Sequence, residues 1–324
     1  MLRFDLTKTL QLAGATRKKL AEYNPLKIRE KETRAKALFA LSLVCFFWGT
    51  TWLASKEGVR HMPALQLAGL RQLAGGLIYV SFFISRKTKW PTRKEWGTII
   101  ILSFLNFLLS NGLSTWAVKY ISAGLGAIMT AIFPLWLVVF GFFSARTRIP
   151  FKAILGLLLG FGGVCVIFYE HLPDFWNPDF RFGILLAFLS TLSWALGTIY
   201  TKKHATGFNP YFSLGLQMAF SGATLTCFTA ATGQTIPLSQ IPWQAWTSIA
   251  YLVVFGSVIS FIAFLYALQK LSTEQTSIYA YVNPIVAVLL GALIFGETLT
   301  FFIGIGGAMA LYGVYLVNKA YRLK

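Results

Sequence analysis

The chain has 324 residues, 56% of them apolar and 12% charged; ordinary soluble domains carry roughly 25% charged residues, so a water-soluble monomer is excluded. Its 29 Lys and Arg against 11 Asp and Glu give a formal net charge of +18, which a nucleic-acid partner, an anionic lipid surface or membrane topology would each explain. The charges fall in clusters between long uncharged stretches, and that distribution selects membrane topology.

In chain order, a basic segment at 1–36 comes first, with Arg17, Lys18 and Lys19 together. It has no aromatic interleaving, which argues against nucleic acid and for contact with anionic headgroups of the lipid bilayer. Apolar stretches follow at 37–55, 62–85 (interrupted by Arg71), 96–118, 120–145 and 153–169. Further ones lie at 182–201, in the two parts of the run 205–269 that Gly233, Pro237 and Pro242 divide, and at 275–296 and 298–318. Most are about the 20 residues that cross a hydrocarbon core roughly 30 Å thick. Runs of this length suit helices, which satisfy their own backbone hydrogen bonds in lipid, and are too long for the strands of a membrane barrel. The expectation is an all-α integral membrane protein of ten transmembrane helices. Cys45, Cys165 and Cys227 sit inside apolar stretches without pairs or metal-ligand spacing, so no disulfide, metal or cofactor is expected.

Lys and Arg favour the cytoplasmic side of short loops. Ten spans with a cytoplasmic amino terminus put 24 of the 29 on that side and four in the external loops, with Arg71 inside the membrane. The second half also repeats the first at an offset of 150 from 102 to 167, pairing Pro134 with Pro284, Gly141 with Gly291, Gly156 with Gly306 and Gly163 with Gly313. Upstream the offset slips to 147 or 148, pairing Gly49 and Thr50 with Gly197 and Thr198. Such a repeat contains five spans. Because five is odd, the second copy enters the membrane from the opposite side, and two inverted five-helix repeats, at 37–169 and 181–321, follow. Inverted repeats are a recurrent device of secondary transporters.

Trp48-Gly49-Thr50 in the first span, Leu70-Arg71-Gln72 in the second, Asn283-Pro284 in the ninth and the run from Phe295 through Gly296, Glu297, Thr298 and Leu299 to Thr300 before a glycine-rich tenth are the residues by which the chain resembles the drug/metabolite transporter superfamily, and within it the EamA-type ten-span transporters. The resemblance covers nearly everything from 37 to 321. It implies a basket of ten helices around a central cavity, with small metabolites, often exported amino acids, as cargo. The chain departs from the pattern at Arg146-Thr147-Arg148, where a Gly-Glu turn is expected in the first repeat.

Several residues are candidates for contact with a small-molecule substrate. Arg71 lies about nine residues inside its span, roughly 13 Å deep, where a charge needs a partner; that partner is either a substrate carboxylate or the carbonyl ends of neighbouring helices. Pro134 and Pro284 remove amide donors and free the carbonyls of Thr130 and Ala280, which marks them as cavity-lining hinges or as packing kinks. Trp48 and Trp194, each just before a matched Gly-Thr, offer aromatic walls, with Trp52 and Trp116 as further members. Thr50, Gln72, Asn106, Asn111, Gln217, Tyr279 and Asn283 supply uncharged polar groups inside spans. Gly156 and Gly160, echoed by Gly306 and Ala310, form small-residue faces that serve either a contact of spans five and ten or a homodimer. Glu297 is read as a charge favouring the dipole at the start of span ten. His61, His171 and His204 fall between spans and no acidic residue lies deep in one, which argues against an enzyme; no ring of charges suggests a channel. The reading is a secondary transporter, an exporter or exchanger of small organic metabolites such as amino acids, in the cell membrane with both termini cytoplasmic.

Overall fold

A computed structural model describes residues 25–133, 135–136, 139–140, 150–204, 207–271 and 279–322. Most of the basic amino-terminal segment and the Arg146-Thr147-Arg148 turn lie outside them, as does Pro134.

Among the described residues the chain is a series of helical rods. The first repeat contributes α1 (Pro25–His61), α2 (Ala64–Ser85), α3 (Arg93–Ala117), α4 (Ala123–Thr130) and α5 (Phe151–Glu170). The second contributes α6 (Pro178–His204), α7 (Pro210–Ala231), α8 (Trp243–Lys270), α9 (Tyr279–Phe295) and α10 (Phe301–Arg322). Local chemistry sets many of the ends. Thr92 and Glu95 close a capping box on α3, with the Thr92 amide donating to Glu95 Oε2 at 2.6 Å. Ser122 Oγ accepts from the Leu125 amide at 3.0 Å to start α4, and Asn209 with Pro210 starts α7. Gly233 and Gly296, at φ +67° and +65°, turn the chain after α7 and α9. The first span extends past the uncharged stretch: α1 continues through Lys56, Glu57 and Arg60 to His61, where Glu57 holds Arg60 at 3.1 Å and His61 at 2.8 Å. His61 is thus helical rather than part of a loop.

The surface is inverted relative to a soluble protein, apolar outside over a core that mixes apolar side chains with buried hydroxyls. Ser103, Ser221, Thr229 and Ser260 are wholly buried, whereas Phe39, Phe82, Leu158, Phe161 and Leu293 are exposed on the outside of the bundle. That inversion fits lipid as the surrounding solvent. Hydroxyls on lipid-spanning helices return to their own backbone: Thr224 and Thr226 on α7, and Thr191, Thr198 and Thr201 on α6, each donate to the carbonyl four residues back.

The packing carries the inverted repeat. Helix α2 lies against α7, and α5 against α10; α1 packs on α8 and α9, while α6 packs on α3 and α4. Exchanging the two repeats converts each of these pairs into another member of the set. The glycines show the same reciprocity. A Cβ on Gly163 would lie 2.5 Å from the Gly306 carbonyl, and one on Gly313 2.5 Å from the Gly156 carbonyl. The small-residue faces of spans five and ten therefore meet each other within the chain.

Both α3 and α8 contain a π-helical stretch, Ser103–Asn111 and Leu252–Ile259, at corresponding places in the two repeats. Wider turns leave carbonyls available, and side chains from neighbouring helices use them. Gln72 Nε2 donates to the Phe107 carbonyl at 3.0 Å, Ser193 Oγ to Leu105 at 2.8 Å and Ser190 Oγ to Ser110 at 2.8 Å. In α8, Trp48 Nε1 donates to Gly256 at 3.2 Å and Tyr79 Oη to Val258 at 2.9 Å.

Candidate functional site

A cavity of about 150 Å³ opens between α1, α2, α3, α4, α6, α8 and α9, a volume on the order of that which accepts one benzene-sized ligand in a protein interior. Arg71 is its charged wall residue. The guanidinium is buried and sits between the two π-helical stretches: Nη1 donates to Asn111 Oδ1 at 3.1 Å, and Nε to Ser257 Oγ at 3.2 Å. Of its two sequence-level partners, helix-end carbonyls are not the ones it takes; two neutral side chains hold it instead. Among the described residues no carboxylate pairs with Arg71, and its guanidinium lines the cavity.

The remaining walls are aromatic and hydroxylic. Trp48 stands edge-on to Phe261 and Tyr279, with ring centroids 5.1 Å apart in both cases. Trp52, Phe133 and Trp194 add flat apolar surface, and Thr51, Ser55, Ser114, Thr115, Ser190 and Thr191 add hydroxyls. Thr130 and Ala280, each four residues before one of the matched prolines, both line the cavity. Asn283 does too; with its amide nitrogen donating, it bonds the Cys45 carbonyl at 2.8 Å and that of Tyr279 at 3.1 Å, tying α9 to α1. Pro284, one residue on, lies inside α9; its counterpart Pro134 is outside the described residues.

Of the residues singled out from sequence, Trp48, Arg71, Asn111, Thr130, Trp194, Tyr279 and Asn283 thus converge on one cavity. Thr50, Gln72 and Gln217 do not. Thr50 Oγ1 bonds the Tyr251 hydroxyl at 2.6 Å. Gln72 joins three helices, accepting from Ser221 Oγ at 2.6 Å on α7 while donating to Phe107 on α3. Gln217 Nε2 turns to Ser213 on its own helix at 3.0 Å. Trp116 also stays away and packs edge-on against Phe182 at 5.1 Å. Sequence reasoning missed Phe261 and Phe133, for which a signal existed: they stand 150 residues from Asn111 and Asn283. The offset pairs Asn111 with Phe261, Thr130 with Ala280 and Phe133 with Asn283, so the cavity straddles the axis relating the repeats.

One face of the cavity ends in a set of bonds between the repeats. Glu297, in the turn after α9, accepts the Ala123 amide on Oε1 at 2.7 Å and the Gly124 amide on Oε2 at 3.0 Å. Glu297 therefore caps α4; Thr300 Oγ1 takes the first-turn amide of α10, from Ile303 at 3.2 Å. This corrects the assignment of Glu297 to span ten: Gly296 at positive φ directs the chain back toward the first repeat. Beside it, Lys56 Nζ donates to the carbonyls of Val118 and Ile121 at 2.7 and 2.8 Å.

Comparison with known proteins agrees with this architecture. The model of the EamA-like transporter family matches residues 35–169 and 181–319. The uncharacterized inner membrane transporter YedA of Escherichia coli K12 is 29% identical over 286 residues, covering 87% of this chain and 89% of its own. The uncharacterized transporter YvbV of Bacillus subtilis is 27% identical over 288 residues, covering 88% and 92%. The chloroplastic WAT1-related protein At3g02690 of Arabidopsis thaliana is 25% identical over 282 residues, covering 84% and 67%. A crystal structure at 16% identity superposes with a TM-score of 0.62 over 88% of this chain and 97% of the other, a likeness of fold.

Proposed function

We propose that this chain, which belongs to the EamA-like transporter family, moves small organic metabolites bearing a carboxylate, such as amino acids, by alternating access of its two inverted halves. It is a transporter of the multi-pass membrane class; the cargo, the route and the direction are our reading. The observation that carries it is Arg71, a buried cation on the cavity wall held by neutral Asn111 and Ser257. A buried charge without a counter-ion is costly, and a carboxylate entering the cavity would neutralise it through charge-assisted bonds. A phosphate-bearing cargo would favour several cations, whereas among the described residues the cavity wall has one. The aromatic rings of Trp48, Trp194, Phe261 and Tyr279 suit the organic remainder of such a cargo.

The two near-equivalent halves supply the motion, rocking about the shared cavity so that it faces one side and then the other. The basic loops favour cytoplasmic termini in the cell membrane; export or exchange is the direction we propose. The test is a thermal-shift screen of the purified protein against amino acids, nucleosides, sugars and cationic drugs, since a ligand of the folded state raises its melting temperature. Carboxylate-bearing cargo should stabilise the protein and be carried in liposomes, and Arg71→Ala should abolish both effects while the protein still folds. Normal flux in that variant would remove Arg71 from the site.

A further inference from the structure

We propose that Glu297, with Lys56 positioning α1 beside it, forms a latch that holds one mouth of the cavity shut. The proposal rests on the alternating-access reading above. A carboxylate bonded to two consecutive first-turn amides is a charge-assisted contact at the positive end of a helix dipole; here it joins the α9–α10 turn of the second repeat to α4 of the first. The Lys56 ammonium makes the parallel link from α1 to the carbonyls that end α3. A third tie lies close by: the Arg60 guanidinium stands 4.5 Å over the Phe295 ring, bringing α1 to the end of α9.

These ties sit at the exit of the cavity. Ser55 and Thr115 line it, and they precede Lys56 by one residue and Val118 by three. Between the cavity and the latch, Leu53, Ala123, Ala127 and Ala287 are buried together with Trp52, Leu290 and Phe295 packed against them. The fit is close: a Cβ on Gly126 would lie 2.7 Å from the Trp52 ring, and one on Gly291 2.5 Å from Glu297 Oε2. Opening this face separates α4 from the α9–α10 turn, which breaks the Glu297 bonds; the Lys56 bonds lie within the first repeat and hold α1 in place, where Arg60 reaches Phe295. Glu297 and Lys56 are therefore positioning residues that bias which side the resting carrier faces.

The experiment places one cysteine in the cavity, Ser114→Cys, in full-length protein whose Cys45, Cys165 and Cys227 are replaced by Ala. Membrane vesicles of both orientations are treated with an impermeant methanethiosulfonate, and labelling rates are compared. Glu297→Gln should raise labelling from the Glu297 face roughly tenfold, in keeping with loss of one charge-assisted contact, and lower it from the opposite face. Lys56→Met, which leaves the α4 cap in place, should shift both rates in the same directions, and it carries the test where Glu297→Gln yields too little folded protein. A purely structural role would raise labelling from both faces together. That result, or unchanged rates in a parent labelled from both faces, overturns the latch and leaves the transport reading standing. Labelling from one face alone in the parent and in both variants, with and without candidate cargo, overturns alternating access and the latch with it.

Discussion

Replacing Gln72 by Leu separates a structural contact from a transport contact. The side chain is almost wholly buried, with its nitrogen on the Phe107 carbonyl at 3.0 Å and its oxygen taking the Ser221 hydroxyl at 2.6 Å. Leu fills similar space but strands an acceptor in the π-helical part of α3 and a donor on α7. Hydrogen bonds between membrane helices contribute about 0.6 kcal/mol each on average and up to about 1.7, and each buried group left unpaired costs about 1–3 kcal/mol. The expected loss for the pair is about 1–3 kcal/mol, read as a lower midpoint in chemical or thermal unfolding of the purified protein. Ser221→Ala should cost less, and the double variant should fall short of the sum of the two, because both break the same contact. Transport by the folded fraction should keep its KM. A KM raised tenfold or more with unchanged stability would refute this account and return Gln72 to the cargo path.

Two other outcomes follow from the packing. Gly163→Ala should destabilise by about 1–3 kcal/mol, since its Cβ would meet the Gly306 carbonyl at 2.5 Å and force α5 from α10; Gly307→Ala, with nothing within 4 Å, should be neutral or stabilising by up to about 1 kcal/mol, and equal melting shifts in the two would contradict the seam. Thr50→Val and Tyr251→Phe each remove the 2.6 Å contact between their hydroxyls and should each cost about 1 kcal/mol, with a double variant little worse than either; full additivity would show that the pair does not act as one contact.

Much of the scaffold was legible because it rests on lengths and periods. Hydropathy marks the rods, basic loops suggest their orientation, and matched glycines at 156, 163, 306 and 313 foretell a close seam that the bundle places between α5 and α10. The site was harder to read because sequence gives depth but not azimuth. Gln72 and Arg71 are neighbours, yet one braces α2 against α3 and α7 while the other faces the cavity. The π-helical stretches add to this, since each widened turn rotates the residues after it; Asn111 reaches Arg71 from the end of such a stretch, and Ser257 from within one. Glu297 was misassigned for a related reason. A carboxylate just before a helix ordinarily serves that helix, but a glycine at positive φ aims this one at a helix 174 residues earlier in the chain.

The repeat partners that face one another across the pocket are unlike: asparagine opposes phenylalanine at two levels, and threonine opposes alanine between them. A perfect dyad would offer a guest two equal orientations. Mismatched walls with one guanidinium among the described residues would give a guest one favoured way round, and under the proposed alternating access it would keep that heading while the halves turn about it.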